Sequence, residues 1–124
     1  MRDVDLHDFN QTLREAPGLV LADLWAPWCG PCQAVTPTLE SLEPDYDERL
    51  TFCKVNVEEV PELMRAFQLR SIPAVLLLQP KEGGGARVVD AMIGARPRQV
   101  YVKWLDKHLN PRPSLWARLT GRGS

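Results

Sequence analysis

Several absences narrow the chain before any motif is read. No stretch approaches the length of uncharged apolar sequence that a transmembrane helix requires. The opening residues, Met1-Arg2-Asp3-Val4-Asp5, turn acidic at once and lead into no apolar segment of the kind a secretory leader carries. Cysteine is scarce and odd in number, at three, which argues against a disulfide-stapled secreted scaffold. Net charge is only −1, so no global field draws the chain to nucleic acid. There is no internal repeat and no low-complexity run. These exclusions leave a cytoplasmic, monomeric globular protein with no membrane or nucleic-acid partner as the expectation.

What is present is ordinary in bulk. At 124 residues, with 44% hydrophobic and 25% charged, the chain suits one domain around one core. Its charge is unevenly placed. Residues 1–62 hold thirteen acids and four bases, a balance of −9, whereas residues 63–124 hold three acids and eleven bases, a balance of +8. Within one domain those halves interleave, which predicts oppositely charged faces of a single surface.

The pattern of apolar residues gives an order of elements. Asp8 is placed to cap a short helix carrying Phe9 and Leu13 at helical spacing, broken by Pro17-Gly18. Leu19 to Trp25 is apolar on both faces except for Asp23, the pattern of a central strand covered on both sides. A helix is expected from Pro31 to about Tyr46, with Val35, Leu39 and Leu42 in register and Pro37 inside it as a kink. Leu50 to Val57 reads as a strand, Pro61 to about Gln68 as a helix, and Ala74 to Leu78 as a third apolar strand opened by Pro73. Arg87 to Ile93 and Arg98 to Leu109 follow as strand and helix, and Val4 to Leu6 as a short first strand at an edge. The order implies an α/β fold: a mixed sheet of four to five strands with helices on both faces. Gly83-Gly84-Gly85 precedes a strand and not a helix, so it reads as a hairpin turn and not as a phosphate loop.

The chemistry concentrates in Trp28-Cys29-Gly30-Pro31-Cys32, two thiols three positions apart where an apolar run meets a helix. Such a pair can close a disulfide within one helical turn and reopen it. Cys29 falls at the helix N-terminus, where unpaired N–H groups and the helix dipole favour the thiolate and lower its pKa from about 8.5. The thiolate is the species that attacks a disulfide. Cys32, one turn in, is the more buried and less ionised, so Cys29 is the candidate nucleophile and Cys32 the resolving thiol. Pro31 suits an early helical position and stiffens the pair.

Asp23 lies six residues before Cys29, inside an apolar strand. Burying its charge is costly, so its pKa is expected to be raised, and it can pass a proton to or from Cys32 through water. Lys54, on the neighbouring strand, is its expected charge partner. Ile72-Pro73 stands in a turn before a core strand and is a candidate cis peptide. Cys53, between Phe52 and Lys54, reads as an inert core thiol, and His7 and His108 as surface residues. A zinc site from the three cysteines and one histidine meets the ligand count, but the second half lacks metal-ligand spacing.

Taken together, these pieces resemble the thioredoxin family. The resemblance spans about residues 3–109: Asp23 through Cys32 looks like the active-site strand and loop, Pro37 the helix-kinking proline, Lys54 the lysine facing the buried aspartate, Ile72-Pro73 the cis-proline loop, and Gly94-Ala95 the glycine loop beside the site. It implies a thioredoxin fold and a thiol–disulfide oxidoreductase that reduces protein disulfides. It also implies no bound cofactor, with electrons coming from NADPH through a flavoprotein thioredoxin reductase. The Gly-Pro dipeptide is that of reducing members. Catalytic roles fall by resemblance on Cys29, Cys32, Asp23, Lys54 and Pro73. The substrate surface falls on Trp28, Ile72, Pro73 and Gly94, with Gly30 and Pro31 counted among the substrate-facing residues.

The chain departs from the family pattern at Pro27, Gln33 and Ala74, and in its short first strand, departures that bear on partner choice and not on thiol chemistry. Residues 1–109 form the expected domain. Residues 110–124 are a basic C-terminal extension with three arginines and no acid, with Leu115, Trp116 and Leu119 at amphipathic spacing. The extension reads as flexible or packed on the domain. An alternative function is a binding module or co-chaperone that uses this tail as a docking element.

Overall fold

A computed structural model describes residues 1–109, so the expectations for 110–124 lie outside the described residues. The elements run β1 (Arg2–Asp3), α1 (Leu6–Glu15), β2 (Leu19–Trp25), α2 (Cys32–Tyr46), β3 (Leu50–Asn56), α3 (Glu62–Ala66), β4 (Ala74–Pro80), β5 (Ala86–Ile93) and α4 (Arg98–Leu109). They form one five-stranded mixed sheet in the order β1-β3-β2-β4-β5. β2 pairs parallel with β3 and antiparallel with β4, and β4 pairs antiparallel with β5.

The strands sort their side chains by the two-residue period of a pleated sheet. Val20, Ala22 and Leu24 of β2, with Ala74, Leu76 and Leu78 of β4, face one layer built with Phe9 and Leu13 of α1 and Leu63 of α3. Leu21 of β2, with Val75 and Leu77 of β4, faces the other layer, built with Val35, Leu39 and Leu42 of α2 and Tyr101, Trp104 and Leu105 of α4. Both faces of β2 and β4 are therefore covered, which is why their sequences read as nearly continuous apolar runs. β5 closes one edge, and its ladder with β4 shifts register between Leu77 and Leu78.

Most expected boundaries shift by one or two residues, α3 for example ending at Ala66, and the largest changes lie at the N-terminal end. The first strand is Arg2–Asp3, not Val4 to Leu6; it is held by backbone pairing of Arg2 with Cys53 and Asp3 with Lys54. Val4 instead turns into the core. The cap of α1 is Asp5, not Asp8: the Asp5 carboxylate accepts the Asp8 N–H at 2.7 Å, three residues into the turn, as an N-cap does. α2 carries Pro44 as well as Pro37. The glycine triplet turns the β4–β5 hairpin, all three residues at positive φ, where a side chain is disfavoured. Among the side-chain ties of α4 to its neighbours, the Tyr46 hydroxyl of α2 donates to Asp106 at 2.7 Å, and the Trp104 indole N–H donates to Asp90 of β5 at 2.9 Å.

The topology gathers loops at one end of the sheet. The C-terminal ends of β2, β3 and β5 lie beside the N-terminal end of β4, with Leu24 paired to Ala74 and Ala74 to Ile93. The Cys29 loop, the Ile72-Pro73 turn and Gly94 thus meet at one rim. Ligands of open α/β sheets bind outside such strand ends.

Candidate active site

β2 stops after Trp25, and the Cys29 N–H donates to the Ala26 carbonyl at 3.1 Å, turning the chain out of the sheet. α2 begins at Cys32, preceded by Pro31, which supplies no side-chain cap. Its first free N–H finds another acceptor: Cys32 N–H donates to the Cys29 sulfur at 3.3 Å. A helix start leaves such donors unpaired, and here a sulfur takes one of them. Cys29 and Cys32 are joined in a disulfide with their Cα atoms 5.4 Å apart. Both are buried, at 4% and 1% exposure, while Trp28 between loop and solvent is 69% exposed. Gly30 and Pro31 are exposed beside it.

Beneath α2 lies Asp23, fully buried in the middle of β2. Burial raises its pKa from the ordinary 3.8 to about 6, against the opposing pull of the Thr36 hydrogen bond and the Lys54 charge. Lys54 pairs in register with Asp23 on β3. Its ammonium lies 5.7 Å from the centroid of the Trp25 ring, and the Trp25 indole N–H reaches Asp3 at 3.3 Å. A cleft of about 160 Å³ opens at this point, lined by Trp25, Cys32, Gln33, Thr36, Pro37 and Lys54. Gln33, Thr36 and Lys54 bring polar groups to its wall, and it is wide enough for a few waters.

Across the rim, the Ile72-Pro73 peptide is cis. The Pro73 carbonyl accepts the Gly94 N–H at 2.9 Å, and Gly94 takes φ 87°, a left-handed conformation that favours glycine. Ile72 packs against the cluster that contains both cysteines. A groove of about 450 Å³ runs from Trp28 along Val57, Met64, Arg70, Ser71 and Ile72. The disulfide therefore sits between an apolar groove and a buried titratable carboxyl.

The Thioredoxin family profile matches residues 2–107. The chain belongs to the thioredoxin family. It is 36% identical over 102 residues to a thioredoxin of Chlorobaculum thiosulfatiphilum, covering 82% of this chain and 90% of that protein. It is 38% identical over 101 residues to thioredoxin 1 of Synechococcus elongatus, covering 82% and 90% respectively. Against the thioredoxin of Bacillus subtilis the identity is 35% over 109 residues, 88% of this chain and all of that one. A thioredoxin-family chain with a disulfide-forming pair at this loop is a protein thiol–disulfide oxidoreductase, and it needs no bound cofactor.

Two residues of this thioredoxin-family site were not read from the sequence. Thr36 bonds Asp23, and Trp25 covers Lys54. Thr36 stands four residues after Cys32, so helical spacing alone puts both on the face that looks down on the strand. His108 is another correction: it is half-buried, with Nε2 2.8 Å from the Asp90 carboxylate. His7 is exposed. Cys53 is buried on β3, and burial pushes its thiol up to about 12. Among the described residues, no cluster of three or more His, Cys, Asp or Glu side chains is gathered to hold a metal, and no helix is long and apolar enough to cross a membrane.

Proposed function

We propose that this oxidoreductase runs in the direction of reduction, with Cys29 as nucleophile and Cys32 as resolving thiol. The Gly30-Pro31 dipeptide supports the direction, and the place of the Cys29 sulfur at the start of α2, where it accepts the Cys32 N–H, supports the roles of the two thiols. In the reduced form the same N–H and the helix dipole stabilise a Cys29 thiolate. That thiolate attacks one sulfur of a client disulfide, forming a mixed disulfide and releasing the other client sulfur, which takes up a proton. Cys32 then gives up its proton and attacks the Cys29 sulfur, closing the disulfide found in this structure. The second client sulfur leaves as a thiol. Two electrons pass to the client, whose disulfide becomes two thiols, and the protein dithiol becomes a disulfide.

Asp23 serves as the proton acceptor for Cys32 in this reading. Its carboxyl titrates near neutrality, and Cys32 lines the cleft that borders Thr36 and Lys54. Lys54 supplies the positive charge that keeps the carboxylate accessible. Clients dock along Trp28 and Ile72, with backbone groups beside Pro73 and Gly94 pairing to an extended client segment, and Gly30 and Pro31 lie beneath it. The oxidised protein is returned to the dithiol by electrons from NADPH through a flavoprotein thioredoxin reductase. Residues 1–109 act as one monomeric unit in a reducing cytoplasm, with 110–124 as an appended basic segment.

Coupled insulin reduction with NADPH and a bacterial thioredoxin reductase tests the direction and the roles. Wild type is expected to turn over, Cys29→Ser to be inactive, and Cys32→Ser to accumulate mixed disulfides with its clients. Trapping by Cys29→Ser instead would reverse the assignment of the two thiols.

A further inference from the structure

Thr36 breaks a habit that the other helical threonines among the described residues keep. A threonine inside a helix ordinarily turns its hydroxyl back to the carbonyl four residues earlier. Thr12 does so to Asp8 at 2.8 Å, and Thr38 does so to Ala34 at 2.9 Å. The Thr36 hydroxyl goes instead to Oδ2 of Asp23, at 2.6 Å. Oδ1 of the same carboxyl is buried with no protein partner. Thr36 is thus the one direct side-chain hydrogen bond to the buried acid among the described residues. It also lines the cleft with Cys32, whereas Asp23 has no exposed surface of its own.

We infer that Thr36 is a positioning residue for this chemistry: its hydroxyl holds Asp23 by one oxygen and sets the pH at which that carboxyl releases its proton. A hydroxyl that donates to a carboxylate stabilises the charged form, and this bond is the largest influence opposing the desolvation of Asp23. The other groups facing the carboxyl act through space. Lys54 from β3 favours its ionisation, and Glu40 from α2 and Asp3 from β1 oppose it. Cys53 on β3 and Tyr101 on α4 both feel the Asp23 charge, and burial keeps both in their protonated forms. None of these groups reaches the carboxyl oxygens with a hydrogen bond. A charge-assisted bond of this kind is strong enough to move a titration by about one pH unit.

The inference rests on the proposed role of Asp23 only where it touches turnover, so the primary readout is the acid itself. The Asp23 carboxyl ¹³C shift is followed from pH 4 to 9 in full-length oxidised protein, with Asp23→Asn identifying the resonance. Thr36→Val keeps the shape and removes the hydroxyl, Thr36→Ala is the smaller alternative should Val perturb packing, and Thr36→Ser restores the hydroxyl. The midpoint is expected to rise by about one pH unit in the Val and Ala variants and to stay within a few tenths of wild type in Ser. The acid limb of the pH profile for client reduction should move by the same amount. Midpoints for Val and Ala that coincide with wild type would overturn the inference, as would a Ser midpoint displaced as far as theirs. A displaced carboxyl midpoint with an unmoved rate profile would uphold the Thr36 assignment and count against Asp23 as the proton acceptor.

Discussion

Replacing Asp23 by asparagine should make the protein more stable at neutral pH and leave it nearly unchanged in acid. In the unfolded chain this carboxyl ionises near 3.8, while in the folded protein burial holds it protonated to about 6. Below 3.8 both states carry the proton and the residue is neutral in the balance. Between 3.8 and about 6 the native state binds more protons than the unfolded one, so stability falls as pH rises. Above about 6 the loss is complete. At about 1.4 kcal/mol per pH unit, the gap from 3.8 to about 6 corresponds to about 3 kcal/mol. No discount for solvent screening applies, because Asp23 has 0% exposure. Guanidinium unfolding of the oxidised protein, followed by tryptophan fluorescence from pH 4 to 8, measures the difference between wild type and Asp23→Asn, in which the other carboxylates cancel. That difference should widen by about 2 to 3 kcal/mol in favour of the variant across the range. A difference that stays flat, or one that widens in favour of wild type, would refute the claim that the native fold bears an incompletely compensated buried charge at neutral pH.

Three further outcomes follow from burial and exposure. Trp28→Ala removes a side chain that is 69% exposed and lines the apolar groove, so kcat/KM for protein clients should fall roughly five- to thirtyfold, a loss of about 1–2 kcal/mol, with little change in unfolding midpoint. Leu39→Ala opens a cavity between α2, β2 and α4 at a residue with 0% exposure, and denaturant melts should show a loss of about 3 kcal/mol. In reduced native protein at pH 8, iodoacetamide should label Cys29 and spare Cys53 until denaturant is added, because burial holds the Cys53 thiol near 12; early labelling of Cys53, read by peptide mass, would contradict its placement in the core.

Much of this architecture was legible because burial leaves a mark on composition. β2 and β4 are covered on both faces, and their runs Leu19–Trp25 and Ala74–Leu78 say so directly. Asp23 was conspicuous for the same reason, as a charge inside such a run. β1 left no comparable mark. It is two exposed, charged residues long and exists through backbone pairing with β3, which no side-chain pattern encodes. The cap of α1 slipped by three residues because Asp5 and Asp8 are equally good capping types in sequence, and it is the extended backbone at Asp5, with ψ near −175°, and its bond to the Asp8 N–H that separate them. Thr36 and the Asp90–Trp104–His108 cluster were missed for one shared reason. Their partners lie 13 to 18 residues away on other elements, so their meaning is tertiary.

The depth of the disulfide has a consequence for what such a protein can serve. Cys29 is 4% exposed and Cys32 1%, below a rim carrying Trp28 and Ile72. A client disulfide must descend to Cys29 and present its S–S bond nearly in line with the attacking Cys29 sulfur. Disulfides locked inside compact folds cannot make that descent, whereas those on protruding or unravelled segments can. The rim therefore sorts clients by accessibility before any side-chain preference acts, and the flow of electrons through the molecule becomes a census of which disulfides in its surroundings have come loose.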